Sequence, residues 1–415
     1  MKILLMHQTV AAHDAIGNDI AYMAELFSEE QARRQGKSKG IDFQRSQERE
    51  TKFLKGEVVV YCEFRKKEGY SYVNRNEALE ILKHSENLVI YHHSGYWEDG
   101  ERLLREARGE NYESWGEQGE LEAGVEISER KKAIIPARLV IRYHNVTPPE
   151  FFADYSAFYF QNCTKGRKQT ERLEESFPEA WWLCDSAYNA KELTKVPEGR
   201  KKRLHPFHNL TAWENILPDR QVMDTLKKEQ AIKVLFTGRI VPNKGHLSLI
   251  DMLEEFRENY GDRMVLYIIG KPDGSVSFYT EEVKRRILAA GLEKRVRFVG
   301  EVTDETLLAY YKGCDYYVSF SDHEGFGVPF IEAQYLELPV IAKAAAAAGE
   351  VLGDGALLFK NEISHYSAAI AYLEERPKVR QELIQAGREN CVSRYDNEKA
   401  GKELLDWLEA GEQYG

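Results

Sequence analysis

Two carboxylates bracket a glycine-cornered turn. Glu324 and Glu332 are separated by seven residues that include Gly325-Phe326-Gly327-Val328-Pro329. The apolar run Asp315 to Phe320 before them reads as a buried strand, and Phe330 to Leu336 after them reads as a helix. Glycines at 325 and 327 let a ligand approach the backbone closely, and the unpaired N–H groups of a first helical turn attract phosphate. One carboxylate can then reach a ligand's sugar end and the other its far end, which suits a nucleotide diphosphate-sugar.

A second cluster supplies the opposite charge. The strand Ile232 to Thr237 opens into Gly238-Arg239-Ile240-Val241-Pro242-Asn243-Lys244-Gly245, followed by a helix from His246 to Phe256. Arg239 as a planar fork and Lys244 as a point charge can both meet a pyrophosphate at such a turn. A third cluster closes the strand Arg138 to His144, where His144-Asn145-Val146-Thr147-Pro148 turns off the C-terminal end, the end at which open parallel sheets bind ligands. The chain also begins with a strand (Lys2 to His7), a turn ending at Gly17-Asn18 and a helical pattern at Ile20, Met23, Ala24 and Phe27.

In combination these motifs resemble the donor site of the GT-B glycosyltransferases of family 4, polysaccharide-biosynthesis type. The likeness is strongest from Leu235 to Phe359. It implies that Arg239 and Lys244 bind the donor phosphates, with Gly17 facing them across a cleft where a side chain would intrude. It further implies that Glu324 orients the donor sugar, that Glu332 holds the ribose, and that the backbone from Gly300 to Val302 pins the base. His144 matches the histidine beside donor sugar and acceptor. The implied catalytic set is Glu324, His144, Arg239 and Lys244, and the implied donor set adds Gly17, Gly238, Val302, Gly325, Phe326, Gly327, Val328 and Glu332. The implied activity is retaining transfer from a UDP- or GDP-linked sugar to a saccharide or lipid-linked acceptor in bacterial cell-surface polysaccharide synthesis, with no cofactor. No Asp-x-Asp occurs in the chain, so no metal grip on the diphosphate is expected. Gly349 stands where the family usually has proline before Glu350.

The elements that must position these residues alternate strand and helix, which predicts an α/β fold of two Rossmann-like parallel-sheet domains facing across a cleft. Further strands are expected at Glu57–Phe64, Asn87–His92, Trp181–Cys184, Met264–Ile269, Arg295–Val299 and Pro339–Ala342. Helices are expected at Glu77–Lys83, Ala187–Leu193 (N-cap Asp185 or Ser186), Glu281–Ala290, Asp304–Gly313 (N-cap Asp304), Ser364–Glu375, Lys378–Cys391 and Glu398–Leu408. Pro206 to Lys228 lacks strand alternation and reads as the boundary. The expected domains are 1–210 for the acceptor, 211–390 for the donor, and 391–415 as a helix returning to the first domain, with Trp407 helping to set the hinge.

At 415 residues, 43% hydrophobic and 30% charged, the chain has room for two or three cores, and no apolar run long enough to span a bilayer is seen. The first residues are too short a stretch for a signal peptide, so a cytoplasmic protein is expected. A net charge of -11 disfavours general nucleic-acid binding. Five scattered cysteines form no Cys-x-x-Cys pair. His92-His93 and His205-Pro206-Phe207-His208 lack partners at ligand spacing and read as structural rather than metal-binding. The basic stretch from Glu30 to Lys55, with Phe43 and Phe53, is a solvated segment or a peripheral membrane contact. Gly100 to Lys132 reads as helix and charged insertion. Rival readings are a sugar phosphorylase or nucleotide-sugar epimerase, or a non-catalytic nucleotide-binding scaffold; a dehydrogenase is disfavoured because Gly-x-Gly-x-x-Gly is absent.

Overall fold

Strands with apolar residues on both faces must be covered by helices on both sides, and the chain folds accordingly. The computed structural model describes residues 1–11, 14–34, 57–110 and 135–411. The basic stretch from residue 35 onward, Phe43 and Phe53 included, and positions 111–132 of the charged insertion lie outside the described residues.

The first domain runs β1 (Lys2–Met6), β2 (Thr9–Ala11), α1 (Ala15–Arg34), β3 (Glu57–Tyr61), β4 (Phe64–Lys66), α2 (Arg75–Leu82), β5 (Leu88–His93), α3 (Glu98–Ala107), β6 (Arg138–Tyr143), α4 (Ala157–Ser176), β7 (Trp181–Cys184), α5 (Ala187–Glu192) and β8 (Lys201–Arg203). Its parallel sheet has the order β3-β1-β5-β6-β7-β8, and β2 pairs with β4 beside it.

The second domain runs α6 (Arg220–Lys228), β9 (Ile232–Thr237), α7 (His246–Tyr260), β10 (Met264–Ile269), α8 (Ser277–Ala289), β11 (Val296–Gly300), α9 (Asp304–Gly313), β12 (Tyr316–Ser319), α10 (Val328–Tyr335), β13 (Val340–Lys343), α11 (Ala348–Leu352), β14 (Ala356–Phe359), α12 (Ile363–Glu374) and α13 (Pro377–Arg394). Its sheet order is β11-β10-β9-β12-β13-β14. All six residues of β10 are buried, as a central strand covered on both faces requires. The order reverses between β9 and β12, and a crevice opens outside the strand ends at such a switch point. In the first sheet the reversal falls between β1 and β5.

Local chemistry sets the helix ends. α2 starts at Arg75, two residues before the expected Glu77, because Asn74 and Glu77 form a reciprocal capping box. Thr303, not Asp304, caps α9, and Asp304 lies in the first turn, where its charge favours the helix dipole. The expected boundary segment is partly helical, with a 3-10 turn at Leu210–Asn215 and then α6. The long helix α4 is not anticipated by the hydrophobic pattern. Its buried residues include Gly166, Gln169, Thr170 and Glu174, so no apolar stripe marks it.

The last helix, α14 (Asn397–Ala410), leaves the second domain and lies on the first. Ala400, Leu404 and Leu408 are buried in one cluster with Ile3, Leu5, Ile20, Met23 and Phe27. Trp407 does not sit at the hinge. About three helical turns beyond the crossing, it meets Trp181 of β7 edge-on, with ring centroids 5.4 Å apart. Leu404 is fully buried, so Leu404→Ala should cost about 2–5 kcal/mol through lost burial and a residual cavity. Chemical denaturation reads this directly, and an unchanged midpoint would show that α14 is not docked.

Candidate active site

The loops after β9 and β12 are pressed together at the switch point. Gly245 has φ 70°, and a Cβ there would lie 2.3 Å from the Phe320 carbonyl oxygen; only glycine fits. Asp322 N–H donates to the Asn243 carbonyl at 2.8 Å, and Asn243 Nδ2 reaches the His323 carbonyl at 3.4 Å. This stitching brings Lys244 onto Glu324, whose side chains are 20% and 14% exposed and joined Nζ to Oε1. Arg239 follows a different course. It is 62% exposed, and its Nη1 lies 3.3 Å from the Tyr159 hydroxyl of α4 and 3.4 Å from Asp273 Oδ2. The two expected phosphate cations thus occupy different neighbourhoods.

Helix α10 begins two residues earlier than expected. Gly327, in the left-handed region, is its N-cap, with Pro329 in the first turn, so the N–H of Val328 lies at an open helix start. Glu332, one turn in, is buried. Its Oε2 accepts from the Tyr311 hydroxyl at 2.8 Å and its Oε1 from His208 Nε2–H at 2.9 Å. Burial first, and the Glu332 carboxylate second, hold the Tyr311 phenol well above its usual range, so it stays a donor. Phe326 is also buried. Its ring meets Tyr395 edge-on at 5.4 Å, leaving mainly backbone for a ligand. Gly238 follows β9, and Val302 follows β11, where it packs on the second-domain core.

Gly325 joins the two domains. A Cβ there would lie 2.4 Å from the His144 carbonyl oxygen, and Ser186 Oγ donates to the Gly325 carbonyl at 2.8 Å. Beside this contact Glu350 accepts the N–H groups of Ala187 (2.7 and 2.8 Å to its two oxygens) and Tyr188 (3.3 Å) at the start of α5. Gly17 lies inside the first turn of α1, where a Cβ would meet the Ala11 carbonyl at 1.9 Å. The fold alone therefore requires glycine there.

His144 is held from behind. Its Nδ1 lies 2.9 Å from Asp185 Oδ2 and its Nε2 lies 2.9 Å from His92 Nδ1. Ser186 is the cap of α5, accepting from Asn189 N–H at 3.1 Å, and Asp185 serves His144 and Arg142 instead of capping. Arg142, fully buried in β6, donates Nε to Asp19 Oδ2 at 3.0 Å and lies 3.0 Å from Asp185 Oδ1. A buried guanidinium needs such partners. Asp19, Asp185, His92 and Arg142 are not among the site residues expected from the sequence.

The ligand atoms of Asp19, His92 and His144 lie within 4.8 Å of one another, a spacing that a cation could bridge. The donor set nevertheless fits hydrogen bonding. The Asp19 oxygen facing the histidines already takes Arg142 Nε, and the two imidazoles bond each other directly. A buried guanidinium on the ligating oxygen opposes a second cation beside it.

Burial keeps three further histidines neutral, lowering His93 and His246 from 6.5 to about 3 and His323 from 6.5 to about 4. As pH falls below about 6.5 the unfolded chain takes up these protons while the folded chain does not, so stability falls toward about pH 4. Thermal midpoints should drop steadily from about pH 7 to about pH 4.5, above most carboxylate titration. A flat profile would contradict neutral burial.

Residues 219–390, which span the second sheet and its helices, match the family described as glycosyl transferases group 1. The chain is 27% identical over 183 residues to a D-inositol 3-phosphate glycosyltransferase of Geodermatophilus obscurus, covering 43% of this chain and 40% of that protein. It is 32% identical over 168 residues to a phosphatidyl-myo-inositol mannosyltransferase of Mycobacterium leprae, covering 39% and 42%. These matches span less than half the length of either relative. In three dimensions it resembles Anabaena HepE in complex with UDP, with a TM-score of 0.68, 15% identity and coverage of 99% of this chain and 100% of that one. WaaG, a glycosyltransferase involved in lipopolysaccharide biosynthesis, gives 0.61 at 13% identity over 96% and 98%. At such identities the likeness is one of fold. The switch-point crevice thus lies within the residues that match this family model, in a chain whose two parallel-sheet domains have the GT-B fold.

Proposed function

We propose that this chain is a retaining glycosyltransferase. It moves a sugar from a UDP- or GDP-linked donor to a saccharide or lipid-linked acceptor in cell-surface polysaccharide synthesis, on the cytoplasmic side of the membrane and without a metal. The observation that carries the reading is the Lys244–Glu324 pair at the switch point, with His144 of the facing domain against the next residue, Gly325. The activities by which the relatives are named, and the UDP-glucose bound to HepE in one crystal structure, support a nucleotide-sugar donor.

Donor chemistry follows from the groups present. An ammonium has three donors, and Lys244 commits one to Glu324, leaving two for phosphate oxygens. Glu324 keeps its second oxygen for a sugar hydroxyl. The exposed contacts of Arg239 are weak enough to exchange for a diphosphate. With the N–H groups at the start of α10, these cations stabilise the departing nucleoside diphosphate by electrostatic preorganisation. The bond from the anomeric carbon to phosphate breaks as the acceptor oxygen bonds on the same face, and the acceptor proton passes to the leaving phosphate. His144, whose Nδ1 is held by Asp185, positions the donor sugar or acceptor rather than attacking, its Nε2 exchanging the His92 contact for a substrate hydroxyl. When the acceptor carries a lipid the enzyme works at the membrane surface; among the described residues no helix is long and apolar enough to cross it.

Lys244→Ala should lower turnover by about 10²–10³-fold while shifting the melting temperature little. Turnover is read as nucleoside diphosphate release, and the product's anomeric configuration by NMR. Unchanged turnover in a folded variant would remove Lys244 from the mechanism, and an inverted product would overturn retention.

A further inference from the structure

The chain crosses between domains twice, and the two crossings meet at His208. On the outgoing crossing, Leu204 and Phe207 are buried in the first-domain core, whereas Leu210 and Trp213 are buried in the second. On the return crossing, Tyr395 belongs to the second-domain core and Ala400 to the first. His208 is the linker residue between these anchors. Its backbone N–H donates to Asn397 Oδ1 at 3.3 Å, tying it to the first turn of α14. Its side chain turns into the second domain and donates Nε2–H to Glu332 Oε1 at 2.9 Å.

We propose that His208 is a positioning residue for the nucleotide's ribose: from the linker, it fixes the Glu332 carboxylate that receives the ribose hydroxyls. The inference rests on the reading that Glu332 binds ribose. Each carboxylate oxygen can accept two hydrogen bonds. Tyr311 uses one acceptor site on Oε2 and His208 one on Oε1, so each oxygen keeps a free site, and together these suit a vicinal diol. Tyr311 approaches from α9 within the second domain, and His208 from the segment joining the domains. Loss of His208 frees the carboxylate to rotate about the Tyr311 contact, and the preference for a ribose diol goes with it. The ribose contact is thereby sensitive to the path of the linker.

The test is calorimetric titration of the full chain with whichever of UDP and GDP binds more tightly, and with its 2′-deoxy analogue, for wild type, His208→Ala and His208→Gln. Wild type should prefer the ribonucleotide. His208→Ala should weaken ribonucleotide binding about tenfold, the scale of one charge-assisted hydrogen bond, and leave the deoxy analogue nearly unaffected. His208→Gln, which can still donate, should restore most of the preference, an outcome that a merely structural role for the linker does not produce. His208→Leu serves in place of alanine if that variant folds poorly. A wild-type preference that survives intact in His208→Ala or His208→Leu would overturn the proposal while leaving the Glu332 reading standing. Equal binding of ribo- and deoxynucleotide by wild type would instead overturn the Glu332 reading itself.

Discussion

Backbone meets backbone where the two domains touch, and the candidate site depends on that contact. The absence of a side chain at Gly325 lets the turn before α10 lie against the His144 carbonyl, closer than any Cβ could approach. The strand ends of both sheets are thereby held within reach of one another. Ser186 and Glu350 reinforce the joint with hydrogen bonds to backbone groups across it. His144 and Gly325, the neighbour of Glu324, consequently touch, although they come from different domains and opposite halves of the chain.

Behind His144 lies a buried network of opposite charges. Arg142 sits in a central strand at no exposure, and the structure answers it with Asp19 from α1 and Asp185 from the end of β7. Removing one partner from such a group leaves a desolvated charge, which costs far more than an exposed pair contributes. The same carboxylates flank the histidine pair, so the groups that neutralise Arg142 also orient His144. One network therefore serves both the stability of the sheet and the alignment of the site.

The chemistry legible in the sequence is that carried by short turns at strand ends. Glu324, Lys244 and His144 each lie in the turn that follows a strand, and their proximity follows from parallel strands presenting the same ends to one crevice. Groups that act through distant pairings leave no local signal. Asp19 lies 123 positions from Arg142, His92 lies 52 from His144, and His208 lies 124 from Glu332. Tertiary structure alone brings them together. Helix α4 escapes for another reason: apart from Leu173 its buried face consists of glycine, glutamine, threonine and glutamate, and periodicity reads only apolar residues. The local rule for helix caps suits Asp185 and Ser186 alike, and it is Ser186 that fills the role, which frees Asp185 for His144.

The central claim is that the second domain binds a nucleotide through Glu332 without a metal. Thermal unfolding in EDTA with UDP, GDP, ADP and dTDP, for wild type and Glu332→Ala, tests it most directly. A ligand that binds only the folded state at about 100 times its Kd stabilises by about 2.7 kcal/mol. One nucleotide should therefore raise the melting temperature of wild type clearly and that of the variant little. A shift of equal size in both proteins, or none with any nucleotide, would contradict the account.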